Sequence, residues 1–156
     1  MPSTLTPGRA LFFLSNLSYT AGSFIADWNK THIHNPRWPP HAKFHNGQTM
    51  SLGVLLALAS TYYAFRPAFS SLTAREARDS VLSAALIGSM YCSAGISAIF
   101  YPGTHWFDPE FEMKGMTQRE IFVAVSLAER AKAWKLWFWE CFADLGDFEL
   151  QQVIIM

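Results

Sequence analysis

The sequence predicts an all-α protein, a small bundle of transmembrane helices. Hydrophobic residues make up 51% of the 156 residues and charged residues 15%, against about 25% charged in ordinary soluble domains. Only ten of the 24 charged side chains lie in residues 1–107, and they leave three uncharged stretches, 10–26, 44–65 and 80–107. Because a helix needs about 20 mainly apolar residues to cross a bilayer, we expect three spanning helices. The net charge of zero argues against nucleic acid as a partner.

The three stretches differ in polarity. The first is the least apolar, and we interpret it as a spanning helix with a polar face that packs against the other two; its polar residues are Ser15, Asn16, Ser18, Thr20 and Ser23. The second holds an unbroken apolar run over residues 52–59. The third, over 81–100, is rich in Gly, Ala and Ser, which let helices approach closely in lipid. A soluble bundle with deeply buried helices is the alternative.

The C-terminal region has a different pattern. Apolar residues recur there at three- and four-residue spacing, with charged residues between them: Ile121, Val125, Ala128, Trp134, Trp137, Phe138, Cys141, Phe142 and Leu145. This spacing predicts an amphipathic helix that lies at the membrane interface or packs on a core. We therefore divide the chain into a transmembrane domain, 1–112, with a histidine-rich loop at 27–46, and an amphipathic C-terminal helix and tail, 113–156.

Four of the five histidines lie in residues 27–45, which read DWNKTHIHNPRWPPHAKFH. Pro39-Pro40 fits the start of the second helix, so His41 and His45 share a face of its first turns. The first helix ends, the second begins and the third ends on the same side of the membrane. Ionisable groups from all three segments therefore converge there: Asp27, His32, His34, His41, His45, His105, Asp108 and Glu110. Such groups close to a membrane interior are usually functional.

Histidine beside a carboxylate favours acid–base chemistry near neutral pH. We expect Asp27, His41 and His45 to transfer protons, and a second set to bind substrate: His32, Trp38, Gln48, His105 and Asp108. No cofactor and no metal is expected, although the His32/His34 and His41/His45 spacings would suit a metal ion. A purely structural polar loop is the third interpretation.

Residues 27–45, followed by Gln48-Thr49-Met50-Ser51, resemble a family of small multi-pass membrane proteins of filamentous fungi. Most are uncharacterised, and some are labelled acetyltransferases, for which this chain shows no acyl-CoA motif. The resemblance covers residues 8–112. The family pattern has a fourth apolar helix near the C-terminus, which Glu129-Arg130-Ala131-Lys132 interrupts here.

More distantly, the chain is similar to small membrane-embedded isomerases and terpenoid cyclases, many of which serve fungal secondary metabolism. The resemblance implies an acid–base enzyme that acts on a hydrophobic metabolite in a membrane, with the endoplasmic reticulum the first candidate. Its expected partners are the small-molecule substrate, membrane lipid and other membrane enzymes. The alternatives are a non-catalytic membrane subunit or scaffold, a metal-binding membrane protein and an acyltransferase-like enzyme.

Overall fold

The computed structural model describes residues 6–108 and 119–127, and all regular secondary structure in these residues is helical. The elements are α1 (Pro7–Asp27), α2 (Pro40–Phe69), α3 (Ala74–Ser97), a 3-10 turn (Ala98–Phe100) and a fourth helix, α4, of which residues 119–127 are described. The predicted all-α class is therefore confirmed. The rest of the predicted amphipathic C-terminal region lies outside the described residues.

The helix starts follow from local chemistry. The Thr6 side chain accepts a hydrogen bond from the backbone N–H of Arg9 at the start of α1. Thr73 and Glu76 form a capping box at the start of α3, which satisfies backbone donors that the first turn leaves unpaired. α2 begins at Pro40, as the Pro39-Pro40 pair predicts. Proline is tolerated there because the backbone N–H groups of a first helical turn have no partner within the helix, so the missing N–H costs no hydrogen bond.

α2 lies in the middle of the bundle, where it packs against both α1 and α3, while α1 and α3 touch each other much less. The helices are also joined through polar side chains. The Asn16 Nδ2 of α1 donates to Ser60 Oγ at 3.1 Å and to Thr61 Oγ1 at 3.0 Å, both on α2. Ser60 Oγ in turn donates to the Ala84 carbonyl of α3 at 2.9 Å. One buried amide and one hydroxyl thus connect all three helices.

Two glycines allow close approach of neighbouring elements. A Cβ atom at Gly53 of α2 would lie 3.1 Å from Cε2 of Tyr91 on α3. A Cβ atom at Gly95 of α3 would overlap the Phe122 ring of α4. An alanine at Gly53 would displace the Tyr91 ring slightly, whereas the contact at Gly95 leaves no room for a side chain and brings α4 close to α3.

Two helices are long and apolar enough to cross a membrane: Pro40–Phe69 and Ala74–Phe100, the latter including the 3-10 turn. The polar residues of α1 keep it out of this set. Only 17% and 33% of the most apolar 18-residue windows of these two helices are buried. Large apolar side chains point outwards, such as Leu55, Leu58 and Leu86, which are 63%, 64% and 64% exposed. The interior is instead rich in small and polar residues.

Candidate functional site

The site lies at the histidine end, by which we mean the end of α1, the loop 28–39, the start of α2 and residues 98–108. Asp27 is the last residue of α1, and it is buried there with 9% of its surface exposed. Asn46 of α2 donates its Nδ2–H to Asp27 Oδ2 at 3.0 Å. His32 places Nε2 3.9 Å from the other carboxylate oxygen, Oδ1. The carboxyl group is therefore held between a loop and a helix.

Burial raises the pKa of Asp27 above its usual value, because the charged form loses hydration. The nearby His32 and the hydrogen bond from Asn46 act in the opposite direction, since both favour the carboxylate. Desolvation is the larger effect. Asp27 consequently keeps its proton to a higher pH than an exposed aspartate does, which suits an acid that donates a proton to a bound molecule.

The loop fixes His32 through turn chemistry. Asn29 Oδ1 accepts hydrogen bonds from the backbone N–H and from the hydroxyl of Thr31, at 2.7 and 2.6 Å. With its proton so used, Thr31 Oγ1 accepts from His32 Nδ1–H at 2.6 Å, and this arrangement assigns the tautomer. The Trp38 ring packs edge-on against His32 with centroids 4.9 Å apart. Nε2 of His32 is left facing Asp27.

A cavity of about 570 Å³ opens beside Asp27. Its walls are mainly apolar and come from α2, α3 and α4, including Leu52, Leu56, Met90 and Phe122. Its polar side chains include Asp27, Thr104 and His105 at the histidine end, together with Thr49 of α2 and Tyr91 of α3. A molecule in this cavity would therefore have an apolar body and meet a buried acid at one end.

A second cavity of about 100 Å³ lies on the other side of Asp27, between α1, α3 and α4. Asp27, Tyr91 and Phe122 border both cavities. The Tyr91 ring stacks on Tyr19 of α1, with centroids 5.2 Å apart and planes 13° from parallel. Phe122 meets Tyr91 edge-on at 6.2 Å. The Tyr91 and Phe122 rings thus belong to the walls of both cavities.

The other sequence-predicted residues take several positions. His41 and His45 are exposed on α2 and contact each other, with Nε2 atoms 3.0 Å apart, and neither lines the larger cavity or bonds to Asp27. Gln48 is exposed and contacts His45, and Asp108 is exposed outside the cavity wall. The structure thus brings Asp27, His32 and Trp38 together, and His105 lines the same cavity as Asp27.

Neither Asn46 nor Phe122 is among the site residues predicted from the sequence. A signal for Asn46 exists, because Gly53, Ser60 and Ala64 follow it at spacings that place all four on one face of α2. Those three small residues are buried, so the face is the one that meets the other helices. Nothing in the sequence indicates that Phe122 packs over Gly95.

Among residues 6–108 and 119–127, no group of three or more His, Cys, Asp or Glu side chains is arranged to hold a metal ion. The cavity lining described here likewise offers only one carboxyl group and one imidazole, Asp27 and His105. Chemistry in the cavity therefore depends on these two ionisable side chains and on the hydroxyl groups around them.

The comparisons give a family without a known activity. The model of a family of unknown function, DUF6640, matches residues 14–133, which include all of the site described above. No curated protein and no solved structure matches the chain significantly.

Proposed function

The chain belongs to the DUF6640 family of unknown function, and we propose that it is a membrane-embedded acid–base enzyme acting on a hydrophobic small molecule. The observation that carries the proposal is the larger cavity, in which mainly apolar walls end at a buried aspartic acid. Apolar walls select the substrate, and Asp27 supplies a proton at its polar end.

The membrane location is supported by the inverted polarity of the bundle. Water-soluble helical proteins bury their large apolar side chains, whereas here Leu55, Leu58 and Leu86 face outwards and Asn16 and Ser60 are buried. In lipid, burying apolar side chains between helices gains little free energy, because the lipid tails are themselves apolar. Polar and small residues join the helices instead. A soluble bundle would also bury most of the residues of α2 and α3, but most residues in the apolar windows of these two helices are not buried.

Aromatic side chains at the histidine end support the same location. Trp28, Phe100 and Tyr101 are 57%, 83% and 68% exposed there. Tryptophan and tyrosine are enriched where a membrane protein passes from hydrocarbon to headgroups. Asp27 would then lie near the interface, where protons from water can reach it and an apolar substrate can enter from lipid.

The proposed reaction is a proton-transfer isomerisation or cyclisation. Asp27 donates a proton to one atom of the bound molecule, and His105, which lines the same cavity, removes a proton from another. The net reaction moves a hydrogen without oxidation or reduction. When both of its ring nitrogens are protonated, His32 stabilises the Asp27 carboxylate that forms after donation, because the positively charged ring holds Nε2–H towards Oδ1. The predicted proton-transfer role of His41 and His45 is not part of this scheme.

The finer assignments belong to the same proposal. We propose further that the enzyme serves fungal secondary metabolism in the endoplasmic reticulum beside other membrane enzymes, on the basis of the distant resemblance to small membrane isomerases and terpenoid cyclases. A non-catalytic membrane subunit is the second candidate. The exposed rings of Phe44 and Trp28, 64% and 57% exposed, favour it because they offer a partner an apolar surface beside the cavity.

Metabolite profiles test the proposal. A deletion strain is complemented with wild type, with Asp27→Asn or with Asp79→Asn, an exposed acid of α3 that serves as the matched control. Protein levels are followed in parallel. We expect an apolar intermediate to accumulate in the deletion strain and with Asp27→Asn, and to disappear with Asp79→Asn. Unchanged profiles together with loss of a membrane complex would instead support the non-catalytic subunit.

A further inference from the structure

Beyond this function, we propose that His41 and His45 form a binding site for a divalent transition-metal ion on the exposed side of α2. Their Nε2 atoms are 3.0 Å apart. A Zn²⁺ ion lies about 2.0–2.1 Å from each histidine nitrogen, so two imidazoles on one ion hold their nitrogens about 3–3.4 Å apart, depending on the angle between the two bonds. The pair therefore already has the separation that ligation requires. This is the reason for departing from the sequence-based expectation that no metal is bound.

Gln48 prepares His45 as a ligand. Its Oε1 atom lies 3.2 Å from His45 Nδ1 and can only accept a hydrogen bond, so Nδ1 carries the proton. Neutral His45 then presents an unprotonated Nε2 towards His41. Metal-binding histidines in proteins commonly have their other ring nitrogen fixed in this way, by a carboxylate, a backbone carbonyl or water. The amide oxygen of Gln48 performs the same task here.

Phe44 orients both rings. It stacks on His41 with centroids 6.0 Å apart and planes 3° from parallel. It also meets His45 at 5.6 Å with an interplanar angle of 73°. The two histidines stand four residues apart on a regular helix, so the backbone places both on one side of it. Little ordering is left to occur when an ion binds.

The donor set determines the class of ion. Two imidazole nitrogens suit Cu²⁺, Ni²⁺ or Zn²⁺ and disfavour Mg²⁺ and Ca²⁺, which prefer oxygen. No third protein ligand is arranged beside the pair among the residues that the structure describes. The remaining coordination positions are open to water or to a donor from a partner. The site is separate from Asp27, so its failure would leave the proposed enzyme function untouched.

Copper titration tests the site on full-length, tag-free protein in detergent. Electron paramagnetic resonance reports nitrogen ligands directly, and calorimetry gives the affinity. The test variants are His41→Ala and His45→Ala. His34→Ala is the matched control, because His34 is an exposed histidine that packs on Trp28 outside the pair. Gln48→Leu removes the acceptor of the His45 Nδ1–H hydrogen bond, whereas Gln48→Glu keeps an acceptor oxygen at that position.

We expect wild type and His34→Ala to bind Cu²⁺ with nitrogen hyperfine structure, and both test variants to lose that signal. Gln48→Leu should weaken binding about tenfold, while Gln48→Glu retains it. Circular dichroism of each variant excludes unfolding as the cause of a loss. Copper binding that persists unchanged in His41→Ala and His45→Ala would overturn the proposal, as would wild type that binds no more copper than the doubly substituted protein.

Discussion

Burial distinguishes Asp27 from Asp108, the other described acidic residue at the histidine end. Asp27 is 9% exposed and its carboxyl group borders two cavities, whereas Asp108 is exposed to solvent. Removal from water favours the neutral acid, and this effect exceeds the opposing influence of His32 and Asn46 on the Asp27 pKa. The residue is thereby suited to donate a proton.

This raised pKa predicts a pH dependence of stability. Because the folded protein binds the Asp27 proton more tightly than the unfolded chain, the stabilisation is fully present below the unfolded pKa. This stabilisation is lost as the pH rises from the pKa of the unfolded chain, 3.8, through the higher pKa of Asp27 in the folded protein. Asp27→Asn has no proton to lose and should show a smaller loss over the same interval. Thermal unfolding in detergent across that range measures the difference, and coincident curves for the two proteins would contradict it.

The sequence pointed to Asp27 but not to its partners, and helix geometry explains why. Successive residues of a helix are rotated by about 100° around its axis. Because Asn46 faces α1, His45 and His41 therefore point towards other sides of α2. Spacing alone shows that the two histidines share a face; it does not show which neighbour that face meets. His32 reaches Asp27 because Asn29 and Thr31 fold the loop back, a turn that depends on hydrogen bonds between side chain and backbone.

At the scale of elements, charge distribution and apolar runs were enough to locate the helices. The uncharged stretch 44–65 lies within α2 (Pro40–Phe69), and most of 80–107 lies within α3 (Ala74–Ser97) and the turn after it. α3 ends well before residue 107, because Tyr101-Pro102-Gly103 cannot continue a helix and Gly103 has a positive φ of 76°. How the helices join was not predictable, since it depends on which polar side chains meet across each contact.

Asn16 is expected to hold α1 on α2. Asn16→Ala removes the hydrogen bonds to Ser60 and Thr61 and should lower the free energy of unfolding by about 1–2 kcal/mol. Ser18→Ala is the control, because the Ser18 hydroxyl only donates to the Leu14 carbonyl of its own helix. Denaturant unfolding in mixed detergent compares them. Equal stability of the two variants would show that the network contributes nothing measurable.

Gly95 is expected to seat α4. Gly95→Ala places a Cβ atom where the Phe122 ring lies, so this ring must leave its place against α3 and α4 loses the contact. Hydrogen exchange of residues 119–127 should accelerate in this variant. Gly47→Ala is the matched control, since its Cβ meets nothing within 4 Å and alanine should add about 0.5–1 kcal/mol of helix stability. Exchange unchanged by Gly95→Ala would show that this contact does not hold α4.

At the scale of the whole molecule, the distribution of polar and apolar side chains supports the proposed membrane location. Small and polar residues join the helices inside, and leucine and phenylalanine cover the outside. Composition alone predicted a bundle of apolar helices, because so few charged side chains are present in residues 1–107. It did not predict the cavity, whose volume depends on where α4 rests relative to α2 and α3.

This arrangement predicts a topology. In the proposed membrane location α2 spans the bilayer, so its start and the α2–α3 loop should lie on opposite sides. Single cysteines at two exposed loop positions, Lys30→Cys before α2 and Ser71→Cys after it, report the sides when introduced into a Cys141→Ser background. A membrane-impermeant maleimide should label the two from opposite faces of sealed vesicles, with Cys92 protected by its burial. Labelling of both from the same face would contradict a spanning α2.

Deuterium transfer tests the central claim most directly. Purified protein is incubated in D₂O with an apolar extract of the cells that produce it, and mass spectrometry searches for molecules that gain deuterium at carbon. If Asp27 moves protons on a hydrophobic substrate, wild type and Asp79→Asn will deuterate the same molecule and Asp27→Asn will not. Deuteration that is equal with Asp27→Asn, or absent with wild type, would contradict the assignment of Asp27 as the proton donor.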